Sequence, residues 1–333
     1  MRKFGLGAVI LTAVFVLSAC GGAASPTGSA PAASGAPAST TPGASADRLR
    51  LCVVHNNADH PSIQSGIKGF QDEAKFYPVD ISFYDPALDP QKQVSMIMDC
   101  IAQKFDVIAV NAVDAAAVVP ALKAANDAGI PIIMHNADTN DAGREFSATF
   151  VTTDTYSQGV AVGQSIKAVM PKDAKMVIIS GIPGQSGIQD RIDGAVEALA
   201  GTGITFVETQ FGEWSKDKAL QVMQSFLVKY PDIQGVYGLD DEMALGALQA
   251  IKAAGKEGQI QAFGVNGQKE VCDMIKAGTF GGTALQSTYM VGVNTVRAAW
   301  DITHTRVFPT PIWIVPTIGL TKNNIDTYYD LCW

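Results

Sequence analysis

From Leu49 onward, short continuous apolar runs alternate with longer stretches whose apolar positions recur at helical spacing. The runs Leu49–Asn56, Val79–Tyr84, Val107–Asn111, Ile130–Asn136, Met176–Ile182, Thr205–Phe211, Gly235–Leu239 and Gln261–Val265 predict strands. Between them, Ile63–Phe76, Gln91–Gln103, Ala115–Ala128, Gln158–Val169, Ala219–Lys229 and Met243–Ala254 predict amphipathic helices. Uninterrupted apolar strands separated by helices mean parallel sheets covered on both faces. The pattern runs twice, with a break near Phe150–Asp154, so an α/β fold of two doubly wound parallel-sheet lobes is predicted. Punctuation agrees. Asp114 can cap a helix starting at Ala115, Gly129 stops it before Pro131, and Asp241-Glu242 opens the helix that Gly255 ends.

The first residues break this rhythm. Arg2 and Lys3 precede an apolar run, Leu6–Leu17, that is shorter than the roughly 20 residues needed to span a bilayer. With small residues at its end, it reads as a secretory signal rather than a membrane helix. Leu17-Ser18-Ala19-Cys20 resembles the bacterial lipobox, which implies a signal peptide over residues 1–19, cleavage before Cys20 and lipidation of its thiol. Residues 20–47 are almost entirely Gly, Ala, Ser, Pro and Thr, so a flexible tether is expected, with a mean reach of about 30 Å.

Charge and composition narrow the class. Lys and Arg number 24 against 32 Asp and Glu, a net charge of −8, which argues against a nucleic-acid partner. With 47% hydrophobic and 17% charged residues, the body is globular rather than disordered. Besides Cys20 there remain Cys52, Cys100, Cys272 and Cys332. In an oxidising compartment they allow two disulfides in any of three pairings, and four buried thiols are the alternative.

In open α/β sheets, ligands sit beyond the carboxyl ends of the strands. The residues there include His55 to Asn57, Asp59, His60, Asn111, His135, Asn136, Asp138, Pro183 to Gln189, Trp214, Asp240, Asn266 and Gln286. Amides and carboxylates hydrogen-bond hydroxyl groups, and an indole face covers C–H patches. With no lysine, and Arg191 as the only nearby arginine, the set suits a neutral polyhydroxylated molecule.

Tyr237-Gly238-Leu239-Asp240-Asp241-Glu242-Met243-Ala244-Leu245-Gly246-Ala247 resembles the signature of ribose-type periplasmic binding proteins. In order, Asn56-Asn57, Gly129–Ile133, Thr152-Thr153-Asp154, Gly181–Ser186 with Arg191 and Gly194, Phe263–Gly267 and Gln286 agree with it, from about Leu49 to Thr321. LacI-type repressor cores share these features, but the leader and the missing DNA-binding helices argue against that use. The resemblance implies the type I fold, two lobes joined by a three-strand hinge, and delivery of a sugar to the permease and ATPase of an ABC importer. It puts residues 48–153 plus 288–310 in one lobe and 154–287 plus 311–333 in the other, with crossings near Asp154, Ser287 and Thr310. By position, Asn57, Asn136, Gln189, Trp214, Asp240, Asn266 and Gln286 fall on pocket positions.

Two departures bear on the ligand. Asp59 and His60 stand where the ribose binder has aromatics, and Ala137 and Gln189 stand where it has arginines. They point away from ribose and from anionic sugars, which would meet Asp59 and Asp240 without a counter-charge. A neutral pentose, hexose, polyol or cyclitol is expected, gripped by hinge closure. First-lobe contacts would be Asn57, His60 and Asn136, with Asp59 and Asp138 as further candidates. Second-lobe contacts would be Gln189, Trp214, Asp240 and Asn266, with Gln286 at a hinge crossing.

His55, His60, His135, Asp59 and Asp138 could ligate zinc, although their spacing matches no short ligand motif. An amine ligand, or a sensor that presents its ligand to a membrane receptor or kinase, would use the same fold. An enzyme is not expected: Ser186 lacks a GxSxG context, and neither GxGxxG nor a P-loop is present. No cofactor is called for. A monomer is expected, lipid-anchored on the extracytoplasmic face of a bacterial membrane.

Overall fold

The structure, a computed structural model, describes residues 48–305 and 312–333, with 312–314 in backbone only. The expected signal peptide, lipidated Cys20 and tether, and the crossing near Thr310, lie outside these residues. The described residues belong to one compact unit, Ala46–Trp333.

The first half runs β1 (Leu49–Val54), α1 (Pro61–Glu73), β2 (Val79–Tyr84), α2 (Pro90–Ala102), β3 (Val107–Val110), α3 (Val119–Asp127), β4 (Ile132–His135), α4 (Asp141–Arg144) and β5 (Ser147–Thr153). The second runs α5 (Thr155–Val169), β6 (Lys175–Ser180), α6 (Ile188–Ala198), β7 (Thr205–Phe211), α7 (Lys216–Lys229), β8 (Gly235–Gly238), α8 (Asp241–Ala253), β9 (Gln261–Asn266), α9 (Lys269–Ala277) and β10 (Gly282–Leu285). Then follow α10 (Thr288–His304), β11 (Ile312–Val315), β12 (Gly319–Leu320) and α11 (Ile325–Tyr328).

Two six-stranded sheets result, ordered β2-β1-β3-β4-β5-β11 and β7-β6-β8-β9-β10-β12. Among the described strand pairs only β10 with β12 is antiparallel. The orders are the same, so each sheet has its topological switch beside its first strand, β1 or β6, where ligand clefts form. Central strands are buried on both faces: Leu51 to Val54, Val107 to Val110 and Met176 to Ile179 are essentially inaccessible. This is why those stretches are apolar throughout rather than alternating.

Local chemistry trims or adds to what periodicity predicts. β4 stops at His135 because Asn136 turns left-handed (φ 62°). Asp114 accepts from Ala116 and Ala117 N–H but caps only a turn, and α3 starts at Val119 with Pro120 in its first turn. β5, read as a break, is a strand between β4 and β11. Pairing extends one element further than expected at the last crossing. Residues 312–315, expected in the second lobe, pair with β5 in the first sheet, while Gly319–Leu320 pairs with β10. Pro316 has no N–H to continue the ladder, so the chain leaves the first sheet there.

The cysteines form Cys52–Cys100, joining β1 to α2, and Cys272–Cys332, joining α9 to the segment after α11.

Helices α1 and α10 pack closely enough to require glycine. A Cβ on Gly69 would lie 2.0 Å from the Tyr289 carbonyl oxygen, whereas one on Gly66 would lie at 3.4 Å from that of Thr288, an ordinary contact. Gly69→Ala is expected to lower the unfolding free energy by about 1–3 kcal/mol in urea denaturation. Gly66→Ala should leave stability unchanged or raise it by up to about 1 kcal/mol, since alanine is the better helix former. Equal losses at both positions would contradict the close approach.

Candidate functional site

The first-lobe wall is built at the ends of β1 and β4. Gln93 on α2 is buried and ties the loops together: its amide donates to the His55 and Asn111 carbonyls, and its carbonyl accepts from Val113 N–H. Asn111 in turn donates to the Asn56 side chain (3.1 Å). His60 caps α1, with the Ser62 N–H and hydroxyl both directed at its Nδ1 (3.3 and 2.8 Å). Accepting there makes Nε2 the protonated nitrogen, 2.8 Å from Asp240 Oδ2 in the opposite lobe. Asn136, held in its left-handed turn, accepts at Oδ1 from Gln286 Nε2 (2.9 Å), a second bond between halves of the molecule.

The second-lobe wall is built at the ends of β6, β8, β9 and β10. Asp240 caps α8, its Oδ1 accepting Met243 N–H (2.8 Å) while Oδ2 meets His60. Arg191 is buried on α6 and donates to the Leu239 carbonyl, to Gln158 and to Gln286. Its Nε has no protein partner among the described residues. Burial lowers its pKa, and the nearby Asp240 carboxylate acts the other way. Trp214 sits in a left-handed turn (φ 55°) and donates from Nε1 to Gln185 Oε1 (2.7 Å). Its ring lies over Gly181, where a Cβ would fall 2.1 Å from it, so this contact needs glycine.

Between the walls is a cavity of about 60 Å³. Asn56, Asn57, His60, Ser62 and Asn136 line one side; Gln185, Arg191, Trp214, Asp240, Asn266 and Gln286 line the other. Among the described lining residues the formal charges are Arg191 and Asp240, one of each sign, so the cleft is balanced when His60 is neutral. At the rim, Asp138 N–H donates to Ser186 Oγ (2.7 Å) and Ala115 N–H to the Gly184 carbonyl (3.1 Å). The walls thus present amide donors and acceptors, one indole face and two opposite charges, Arg191 bonded to carbonyl oxygens and Asp240 to His60.

A model of the periplasmic binding protein domain matches residues 51–304. The ribose import binding protein of Bacillus subtilis (strain 168) is 32% identical over 302 residues, covering 91% of this chain and 94% of that protein. The chain belongs to the periplasmic binding protein family. A xylitol-binding protein of Mycolicibacterium smegmatis is 29% identical over 269 residues, 79% of this chain and 75% of its own. Among solved structures, an ABC transporter solute-binding protein from Mycobacterium smegmatis with bound glycerol superposes at TM-score 0.78, with 27% identity, over 84% of this chain and 96% of that one. A galactofuranose-binding protein reaches TM-score 0.80 at 22% identity, over 85% and 97%, which shows the shared fold.

In this binding protein the structure brings Asn57, His60, Asn136, Trp214, Asp240, Asn266 and Gln286 together on the cavity. It does not bring Asp59, Asp138 or Gln189 there. Asp59 is exposed in the turn before α1. Asp138 is buried behind the wall, where its carboxylate accepts from Arg144 Nε (3.0 Å) and Thr139 N–H (2.8 Å). Gln189 points outward and donates to Asp193 (2.7 Å), its neighbour one turn along the exposed face of α6. The reason is Gly187: its left-handed backbone (φ 76°) starts α6 at Ile188, which turns Gln189 out and Arg191 in. Arg191, the nearby arginine of the sequence, thus lines the cavity from α6. The signal for it was available, since Ile188, Arg191 and Ala195 lie on one helical face. Gln185 and Ser186 were singled out only as part of a loop.

The zinc alternative loses its ligand set. Among the described residues no group of three or more His, Cys, Asp or Glu could hold a metal. His60 is engaged by Ser62 and Asp240, and His55 and His135 point into an aromatic cluster with Phe70 and Phe83. Burial pushes the His55 pKa down to about 4, against the opposing charge of Asp85, and pushes His135 well below its ordinary value, helped by His55. Both are therefore neutral when folded, while the unfolded chain takes up protons below about pH 6.5. Stability is expected to be full above that pH and to fall between pH 6.5 and 4, by up to about 1.4 kcal/mol per unit for each ring. Melting temperature against pH checks this, with His55→Phe flattening the profile; a parent profile that stays level across that window would contradict it.

Proposed function

We propose that this protein captures a small neutral monosaccharide, polyol or cyclitol between its lobes and delivers it to the membrane permease and ATPase of an ABC importer. The observation that carries this reading is the charge-balanced cleft: Arg191 and Asp240 offset one another among amides, hydroxyls and the Trp214 ring. An uncharged hydroxylated molecule can use such donors and acceptors without unbalancing the site, whereas an anion or an amine would add an uncompensated buried charge. Relatives that import ribose or bind xylitol support the ligand class.

Capture works by hinge closure. A ligand that touches both walls stabilises the closed state by the contacts it makes only there, and the permease recognises that state. No chemistry is done on the ligand. The Nδ1 lone pair of His60 is shared between the Ser62 N–H and hydroxyl, so it is a helix cap and a poor activator of a nucleophile. Family members are binding proteins that work outside the cytoplasm. For this chain, a lipid on Cys20 would anchor a monomer to the outer face of the membrane. No helix among the described residues is long and apolar enough to cross it.

The test is a melting-temperature screen of the refolded, disulfide-intact protein against neutral pentoses, hexoses, polyols and cyclitols. A true ligand at 100 times its Kd should add about 2.7 kcal/mol of stability. Trp214→Ala should melt cooperatively yet bind that ligand more than about tenfold more weakly, through loss of the ring face and its hydrogen bond. A screen with no response to any neutral member, or an unchanged Trp214→Ala affinity, would contradict the reading.

A further inference from the structure

The cavity wall at the end of β9 is held from behind by a segment that does not itself line the cavity. Asn266 has a backbone (φ 135°) that side chains rarely adopt, followed by Gly267 at φ 79°. Its carbonyl accepts two hydrogen bonds, from Gln286 N–H (3.1 Å) and from the indole Nε1 of Trp333 (2.9 Å). Trp333 N–H also donates to the Gly267 carbonyl (3.2 Å), and its own carbonyl accepts from Lys269 N–H (2.7 Å). The Cys272–Cys332 disulfide ties this segment to α9, one residue before the tryptophan. From the core side, buried Asp241 accepts the Gly267 and Gln268 N–H groups (2.9 Å each).

The outcome is a clamp around Asn266. Its side-chain nitrogen, Nδ2, is buried on the cavity wall with no protein partner among the described residues. An amide donor buried in this way is destabilising until something accepts from it, and a ligand hydroxyl in the adjoining cavity is the group that can. Where Nδ2 points depends on a backbone conformation that is unfavourable on its own and is therefore set by its surroundings.

We infer that Trp333, stapled in place by Cys272–Cys332, is a positioning residue for ligand binding: its indole N–H fixes the Asn266 backbone so that the Asn266 amide meets a ligand hydroxyl. The inference rests on the reading of the cleft as a sugar or polyol site. It assigns to the Cys332-Trp333 segment a role in affinity, beyond the stability that a disulfide contributes.

The experiment uses the full, oxidised chain, with D-ribose and xylitol as calorimetric probes. Trp333→Phe keeps a six-membered aromatic ring and removes the N–H; Asn266→Gly removes the amide and tolerates the backbone. Trp333→Phe should weaken binding about 3- to 10-fold while the melting temperature changes little. In an Asn266→Gly background the same substitution should have no further effect on affinity, because the two act as one unit. Unchanged affinity in Trp333→Phe, or losses that simply add, would overturn the inference. If neither probe binds the parent protein, the functional reading loses support, and a ligand-free measurement still decides this one. In side-chain amide NMR spectra, Trp333→Phe should displace the Asn266 Nδ2 signals, and an unmoved pair would overturn the positioning role.

Discussion

A guanidinium buried in the middle of the cleft constrains much of what surrounds it. Arg191 is 7% exposed, and a charge taken out of water costs several kcal/mol unless its donors are satisfied. Among the described residues no carboxylate bonds to it directly. Its acceptors are carbonyl oxygens from three places: the end of β8, helix α5 and the residue after β10. Each must be delivered at the carboxyl end of the second sheet or beside it, and that requires the parallel strands and the helices behind them. Gln286 then extends the network, because the same side chain that accepts from Arg191 donates to Asn136 on the first lobe. Asp240, whose charge partly offsets the burial of Arg191, reaches the first lobe too, through His60.

Function follows from that arrangement. Two polar chains cross the cleft, one from Arg191 through Gln286 to Asn136 and one from Asp240 to His60. Both bonds join one lobe to the other, so they form only when the lobes are together. A neutral ligand with several hydroxyls can join these chains as donor and acceptor at once. A ligand with a formal charge would add an unmatched charge to a cleft in which Arg191 and Asp240 already offset one another.

Strand order and the rule that sites lie past strand ends depend only on the succession of apolar runs and helices. Asn57, Asn136, Asp240, Asn266 and Gln286 were accordingly legible in the sequence as wall residues. What was not legible depends on one dihedral angle or one local turn. Whether Gln189 or Arg191 faces inward turns on the left-handed Gly187 that starts α6. Asp59 and His60 are adjacent, yet one is exposed and the other caps α1, a difference set by the turn before the helix. Asp138 is drawn away from the cleft by Arg144, six residues on, a pairing that periodicity does not reveal. That Ile312–Val315 joins the edge of the first sheet before Pro316 ends the strand depends on local pairing that the apolar pattern does not show.

The most direct measurement is a pair of calorimetric titrations, one with the neutral sugar or polyol that most raises the melting temperature and one with the onic acid that differs from it only by a carboxylate. A compensated Arg191 predicts that the neutral compound binds and the acid binds at least about 100-fold more weakly, a difference of about 2.7 kcal/mol. An acid that binds as well or better would mean that the guanidinium is free to meet an anion, and the account of a balanced cleft would be wrong.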